Sequence, residues 1–208
     1  MPAWDTLMQF FLASIALGLA PGPDNIYVLT QSAVQGRNAG IVITLGLCTG
    51  LVLHTALVAL GVAALIATSP LLFMLLKLGG AGYLLYLAYQ AFRADGAAIG
   101  TGSRAVVAYR HLYKRGLLMN ISNPKVSMFF LAFLPQFVAA DGAAVSQQMI
   151  VLGGTFIVAT LLVFNAIALM AAGLATKLRS SATAQRVLYR ITGVVLMLLA
   201  LRLLLYQA

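Results

Sequence analysis

Pro21-Gly22-Pro23-Asp24-Asn25 near the start of the chain and Asn123-Pro124-Lys125 just past its middle are short polar stretches inside long apolar segments. The interior of a bilayer tolerates an interrupted backbone or an ionisable side chain only where protein or a water-filled cavity surrounds it. Each stretch therefore predicts an interior site and not a surface that faces lipid. Paired interruptions at corresponding positions of two halves are typical of transporters.

The composition predicts that both interruptions lie within a membrane. Of the 208 residues, 62% are hydrophobic and 8% are charged, and the mean hydropathy is +0.99, which leaves too little polar surface for a soluble globule. A membrane-spanning helix takes about 20 mostly apolar residues. Whole segments are apolar without alternation, so we expect an all-α integral membrane protein and not a barrel. Six segments qualify: Leu7–Leu29, Ile41–Ala67, Leu71–Phe92, Gly116–Val138, Met149–Ala171 and Val187–Tyr206.

The distribution of charge predicts the orientation in the membrane. The formal net charge is +9, from 13 basic and 4 acidic residues. Lys and Arg cluster after the first, third and fifth segments, and the turns near Ser69-Pro70 and Asp141-Gly142 carry none. By the positive-inside rule these basic connections are cytoplasmic and both termini lie outside. The basic residues of these connections are Arg37 after the first segment; Arg93, Arg104, Arg110, Lys114 and Arg115 after the third; and Lys177, Arg179, Arg186 and Arg190 after the fifth.

The same charges bear on the partners of the chain. Short basic loops beside a membrane are expected to contact anionic lipid headgroups. No globular domain is available to present a nucleic-acid groove, so nucleic acid is not an expected partner. The chain begins without a basic leading region and carries Asp5, so the first segment is expected to be retained as a helix and not removed as a signal.

The polar stretch from Arg93 to Arg115 divides one transmembrane domain, residues 1–208, into halves of about residues 1–95 and 112–208. Each half has three apolar segments and begins with one that proline interrupts. Because three is odd, the second half enters the membrane from the opposite side. The prediction is six transmembrane helices as two inverted-topology three-helix repeats, with helices 1 and 4 broken at their Pro motifs. The alternative is six helices with ordinary proline kinks.

The first interruption predicts a binding site made of backbone. Pro21 and Pro23 remove two backbone donors and Gly22 permits unusual backbone angles, so carbonyls become free for a cation or a substrate amino group. The helix that restarts near Asp24 and Asn25 directs its amides at the gap, where an anionic group would be held. Asp24 either binds a ligand or a proton, or caps the restarted helix.

The second interruption places a cation in the membrane, with Lys125 roughly a third of the way in from the cytoplasmic side by the helical rise of about 1.5 Å per residue. Lys125 either pairs with Asp24, holds a substrate carboxylate or reaches back to the interface. In the second segment, Gly46 and Gly50 recur at four-residue spacing and predict close helix packing. His54 continues that face and either relays protons or bonds a neighbouring helix.

Other polar residues leave two interpretations open. Asn165 in the fifth segment is either a hydrogen-bonding contact between helices or part of a cavity lining, and Asn120 is a second candidate for the lining. Gly79, Gly80 and Gly82, followed by Tyr83, predict close packing with aromatic filling.

Enzyme and redox functions find little support in the sequence. Cys48 is the single cysteine, which argues against a membrane thiol-disulfide carrier. No residues have metal-ligand spacing and no Ser-His-Asp group or carboxylate pair is evident, so we expect a protein that is not an enzyme and that has no cofactor and no resident metal.

The motifs resemble those of the lysine exporter (LysE/RhtB) family over nearly the whole chain. The resemblance rests on Pro21-Gly22-Pro23, on Gly36-Arg37 with Gly40, Gly46 and Gly50, and on the run from Gly116 through Asn123-Pro124-Lys125 and Phe129-Phe130 to Phe133-Leu134-Pro135-Gln136-Phe137. It implies a six-helix exporter of amino acids or close derivatives in a bacterial inner membrane, driven by the proton gradient, with a homodimer as one assembly.

The resemblance also implies where the substrate passes. The positions carried over are Gly22, Pro23, Asp24, Asn25, Asn123, Pro124 and Lys125. Asp24 and His54 are the candidates for proton coupling. Because Asp24 is the only carboxylate expected inside the membrane, neutral substrates such as leucine, threonine or homoserine are favoured over cationic ones.

Two other functional classes remain open. Distant relatives imply a divalent metal-ion exporter, which would require Asp24, Asn25 and His54 to converge on the ion. A structural or assembly protein of the membrane would leave the intramembrane charges unexplained.

Overall fold

A computed structural model describes residues 2–62, 70–94, 106–139 and 142–205, and every regular element in these ranges is helical. Two of the eight α-helices continue into other helical forms. A π-helical turn, Val58–Val62, follows the helix Arg37–Leu57, and a π-helical turn, Phe129–Phe133, and a 3-10 turn, Leu134–Phe137, follow the helix Pro124–Met128. The helices are α1 Trp4–Leu19, α2 Pro23–Gln35, α3 Arg37–Leu57, α4 Pro70–Arg93, α5 Tyr109–Ile121, α6 Pro124–Met128, α7 Val145–Ser180 and α8 Ala182–Leu205.

Four helices of the described chain are long and apolar enough to cross a membrane, and up to six spans result if each of two bent pairs counts as one. The four are Arg37–Gly61, Leu71–Arg93, Val145–Ala171 and Thr183–Leu205. The bent pairs are α1 with α2, at 63°, and α5 with the stretch from Pro124 to Phe137, at 47°. Both bends fall at the proline motifs, so the broken backbone predicted at these two places is confirmed.

Two helices extend beyond the apolar segments that predicted them. Helix α5 begins at Tyr109, so Arg110, His111 and Arg115 lie on a helix and not in the predicted loop. Hydropathy detects the membrane-embedded part of a helix, whereas the helix itself continues until a residue breaks it, and residues 109–116 contain no proline. Helix α7 likewise extends to Ser180. Ala67, Ser69, Arg104, Asp141 and Tyr206 lie outside the described residues.

Glycines bring α3 and α5 into backbone contact, as the spacing of Gly46 and Gly50 predicts. A methyl group added at Gly46 would meet the backbone carbonyl of Tyr113, and one added at Gly116 would meet that of Ile43. The prediction is only partly correct for α4. There Gly80 packs against Ala132, but Gly79 and Gly82 face open space, because this side of α4 is turned away from the bundle.

Six phenylalanines fill the bundle on the far side of the second break, and four of them belong to the stretch from Pro124 to Phe137. Their ring centroids are as close as 4.7 Å for Phe129 and Phe133 and 5.0 Å for Phe10 and Phe137, and Phe10, Phe129, Phe130 and Phe133 have no exposed surface. We call this set the aromatic cluster: Phe10, Phe129, Phe130, Phe133, Phe137 and Phe156.

Candidate functional site

The first break separates α1 from α2 at Ala20–Gly22, and α2 begins with Pro23 at its first position. Gly22 precedes it in an extended conformation, with φ of −161°. No side chain caps α2, so the alternative in which Asp24 caps the restarted helix is wrong. Pro21 and Pro23 have no N–H, which leaves carbonyls in the last turn of α1 without their usual backbone partners.

Two polar side chains of the same chain donate to carbonyls at this end of α1, of which the Leu17 carbonyl also accepts the backbone N–H of Ala20 at 3.2 Å. The Nζ of Lys125 donates to the carbonyl oxygens of Ala20, at 2.9 Å, and Leu17, at 3.3 Å. The Nδ2 of Asn25 donates to the carbonyl of Gly18 at 2.7 Å. In this structure the cation at these carbonyls is the ammonium group of Lys125, and the binding of a ligand cation or a substrate amino group there stays a prediction.

The second break lies at Ser122–Asn123, and Asn123 connects it to the first. The Asn123 Oδ1 caps α6 by accepting from the backbone N–H of Lys125 at 3.0 Å. Its Nδ2 donates to the Asp24 Oδ2 at 2.7 Å. The two restarted helices begin alike, because Pro23 and Pro124 each occupy a first position and a charged residue follows each of them.

Asp24 and Lys125 lie at the same site but form no direct ion pair. Asp24 is only 5% exposed, and its Oδ2 is bound by Asn123 while its Oδ1 has no hydrogen-bond partner. The Lys125 ammonium is bound to carbonyls of α1. A buried carboxylate oxygen without a donor is costly, and such groups commonly mark a site that awaits a ligand, a proton or water.

A small cavity of about 20 Å³ lies between these residues and α7. Its polar lining comes from Asp24, Asn120, Lys125 and Thr160, and the side-chain amide of Asn120 makes no hydrogen bond with the described residues. A space of this size holds a single water molecule, since one probe sphere needs about 10–15 Å³. It does not have room for an amino acid.

A large cavity of about 310 Å³ lies on the other side of Lys125, between the two breaks and helices α4 and α8. This volume is within the range of small-molecule sites, about 300–1,000 Å³. Lys125 lines both cavities and, among the described residues, is the only charged one in the lining of the large cavity. That lining comprises Pro21, Gly22, Pro23, Asn123, Pro124 and Lys125 from the breaks, Tyr83, Leu87, Gln90 and Ala91 from α4, and Tyr189, Thr192 and Leu196 from α8.

The polar lining from α4 and α8 was not among the site residues predicted from the sequence. The sequence pattern assigns Tyr83 to packing and predicts no role for Gln90, Tyr189 or Thr192. A signal was present, because Tyr83, Leu87 and Gln90 recur at four and three residues and share one helix face, as Tyr189 and Thr192 do. Two polar faces on otherwise apolar helices would have indicated this lining.

The site residues predicted from the sequence do not all line the same cavity. Gly22, Pro23, Asn123, Pro124 and Lys125 line the large cavity, and Asp24 lines only the small one. Asn25 lines neither cavity and supports the first break through its bond to Gly18.

The remaining candidates lie around these two cavities. Asn120 lines the small cavity, whereas Asn165 lines neither and its buried Oδ1 has no partner. His54 also lies outside both cavities. Its Nε2 is 3.3 Å from the Asn120 carbonyl oxygen, and its ring packs on Phe130 with centroids 5.6 Å apart, which is a contact between α3 and the second broken helix.

The described residues contain no group of three or more His, Cys, Asp or Glu side chains that could hold a metal ion. Asp24, Asn25 and His54 each contact a different partner. The metal-export alternative therefore lacks a site in this part of the chain.

Two proline-broken apolar helices that meet at an internal polar site are typical of membrane transporters. The chain belongs to the LysE type translocator family, whose model matches residues 15–207, and the resemblance inferred from the motifs is confirmed. It is 37% identical over 163 residues to a homoserine/homoserine lactone efflux protein of Salmonella typhimurium, covering 78% of each chain. It is 31% identical over 147 residues to a leucine efflux protein of Salmonella choleraesuis, covering 70% of this chain and 69% of the relative. No solved structure matches the chain.

Proposed function

We propose that the protein exports neutral amino acids or close derivatives across a bacterial inner membrane, driven by the proton gradient. The observation that carries this proposal is the large cavity, which both breaks line and in which Lys125 is the only charged residue of the described lining. A single cation suits the carboxylate that all amino acids share. The relatives named for homoserine and leucine efflux support the same substrate class.

The lining favours a neutral side chain on the substrate. A cationic side chain would need a carboxylate partner, and the large cavity offers none. Leu87 and Leu196 provide apolar surface for an aliphatic side chain. Tyr83, Gln90 and Tyr189 provide hydroxyl and amide groups for a polar one, such as the hydroxyl of homoserine.

Transport proceeds in this proposal by alternating access of two inverted repeats, one containing helices α1–α4 and the other α5–α8. The large cavity lies between the breaks and the ends of α4 and α8 that carry Arg93, Arg186 and Arg190. By the positive-inside rule that end is cytoplasmic, which puts both termini outside. The cavity is then the inward-facing entrance, and the aromatic cluster closes the outward side.

Several features of the sequence-based interpretation stay predictions. They are the single domain of residues 1–208, the homodimer and the binding of anionic lipid by the basic loops.

The test is efflux of radiolabelled amino acids from preloaded proteoliposomes under an imposed proton gradient. Wild type is expected to export leucine or homoserine in preference to lysine, and Lys125→Gln is expected to lose this activity because the carboxylate loses its cation. Lys114→Gln is the matched control, because Lys114 is exposed on α5 and lines neither cavity. Wild-type silence for every amino acid, with transport of a divalent metal, would refute the proposal and favour the metal exporter.

A further inference from the structure

The carbonyl oxygens of Leu17 and Ala20, which we call the carbonyl pair, form a site for a primary ammonium group. The Leu17 carbonyl loses its i+4 donor at Pro21 and accepts instead the backbone N–H of Ala20 at 3.2 Å, and no backbone N–H donates to the Ala20 carbonyl among the described hydrogen bonds. Both carbonyls lie at the C-terminal end of α1, where the helix dipole favours a cation. The Lys125 Nζ occupies the pair at 2.9 and 3.3 Å. The α-ammonium group of an amino acid carries the same charge and the same three donors as this occupant.

Lys125 also lies between the two cavities. It lines the large cavity on one side and the small cavity on the other. Asp24 lies behind it, with one buried carboxylate oxygen that no group donates to. If the ammonium of Lys125 moved into the large cavity, the carbonyl pair and Asp24 would together become available to a second cation.

The surroundings leave room for this movement. The side chain of Lys125 has a flexible four-carbon stem. Gly22 lies against its end, and a methyl group added there would be 3.3 Å from Nζ. The backbone of Gly22 is extended, with φ of −161°, a conformation open to any residue. Glycine therefore matters at this position for the space beside the ammonium group and not for its backbone freedom.

We propose that Lys125 is a tethered substitute for the substrate ammonium, and that the carbonyl pair with Asp24 is the substrate's ammonium site. This inference rests on the proposed function. The substrate carboxylate draws Lys125 into the large cavity, and the substrate ammonium binds the carbonyl pair and Asp24. In the empty carrier the Asp24 carboxyl group holds a proton. When substrate arrives, the O–H bond breaks, the proton passes to water, and the carboxylate accepts a hydrogen bond from the ammonium.

This exchange accounts for antiport, because proton and substrate ammonium compete for one carboxylate. Other titratable groups occur on the helices packed around Asp24. Lys125 on α6 is the charged neighbour of Asp24. The helices also carry Tyr27, Cys48, His54, Tyr83, Tyr113, Arg115 and Tyr189 among other titratable side chains, and no hydrogen bond described for these seven joins them to Asp24.

The experiment measures binding of isopentylamine, which is leucine without its carboxylate, to purified protein. Wild type is expected to bind it weakly, because the amine cannot draw Lys125 away. In Lys125→Met the carbonyl pair is vacant, and the amine is expected to bind about tenfold more tightly, since a competing occupant lowers apparent affinity by the fraction of time the site is free. Lys114→Met is the control and should leave the amine affinity unchanged. An unchanged or weaker amine affinity in Lys125→Met would overturn the inference.

A second measurement decides the matter if Lys125→Met does not fold. Leucine affinity of wild type should fall as the pH is lowered, because protons compete for Asp24, and Asp24→Asn should remove this dependence. An identical pH dependence in Asp24→Asn would also overturn the inference. If wild type neither binds nor exports any amino acid, the proposed function itself fails. If wild type exports leucine but these variants behave otherwise than expected, only the inference fails.

Discussion

Replacing Asn123 with alanine tests whether one side chain holds the two breaks together. The substitution removes the cap of α6, which is worth about 0.5–2 kcal/mol. It also removes the 2.7 Å donor to Asp24, and a hydrogen bond to a neutral carboxyl group contributes about 0.5–1.5 kcal/mol. Side-chain hydrogen bonds measured inside membranes average only about 0.6 kcal/mol, which argues for the lower part of the combined range. We therefore expect Asn123→Ala to lower the free energy of unfolding by about 1–2 kcal/mol.

The assay is equilibrium unfolding in mixed micelles, with Ser122→Ala as the control. Ser122 is the neighbouring exposed residue, and its hydroxyl bonds only carbonyls of its own helix. A double-mutant cycle with Asp24→Leu isolates the bond between Asn123 and Asp24 and should give a coupling energy of at least about 1 kcal/mol. A loss equal to that of Ser122→Ala, or additive effects in the cycle, would refute the assignment of Asn123 as the link between the breaks.

Three further predictions follow from the packing and the cavity lining. Gly46→Ala should lower the free energy of unfolding by about 1–3 kcal/mol, because its methyl group meets a backbone carbonyl of α5. Gly79→Ala places its methyl group in open space and should be neutral or stabilising. Equal effects of the two substitutions in an unfolding assay would contradict the close packing of α3 and α5. Tyr189→Phe removes a hydroxyl from the large cavity and should reduce homoserine efflux relative to leucine efflux about 3- to 10-fold, the worth of one hydrogen bond, and an unchanged ratio would exclude this hydroxyl from recognition. His54→Gln, which keeps a hydrogen-bonding side chain outside both cavities, should retain proton-driven efflux, and its complete loss with intact folding would return His54 to proton coupling.

The broken helices were predictable because proline acts locally. Pro23 and Pro124 have no backbone N–H, so a helix cannot continue unchanged through either of them. The freed carbonyls followed from the same chemistry. Their occupant was not predictable, since it is a lysine 105 positions away along the chain in its bond to Ala20.

The sequence also could not predict that Asp24 and Lys125 would take different partners beside two separate cavities. Asp24 and Lys125 were expected to pair directly or to hold a substrate between them. In the structure Asn123 takes one oxygen of Asp24, and Lys125 turns to the end of α1. Such a choice among partners depends on distances of a few tenths of an ångström, which spacing along the chain cannot express.

Sequence alone establishes a helical membrane protein with two interrupted spans and a charged residue beside each interruption. Hydropathy, glycine spacing and proline are properties of short segments, and each acts on the helix that contains it. The packing of separate helices is what brings Lys125 to the first break, joins the two breaks through Asn123 and completes the large cavity with α4 and α8. These contacts link residues up to 108 positions apart, so they exist only once separate helices have packed against one another.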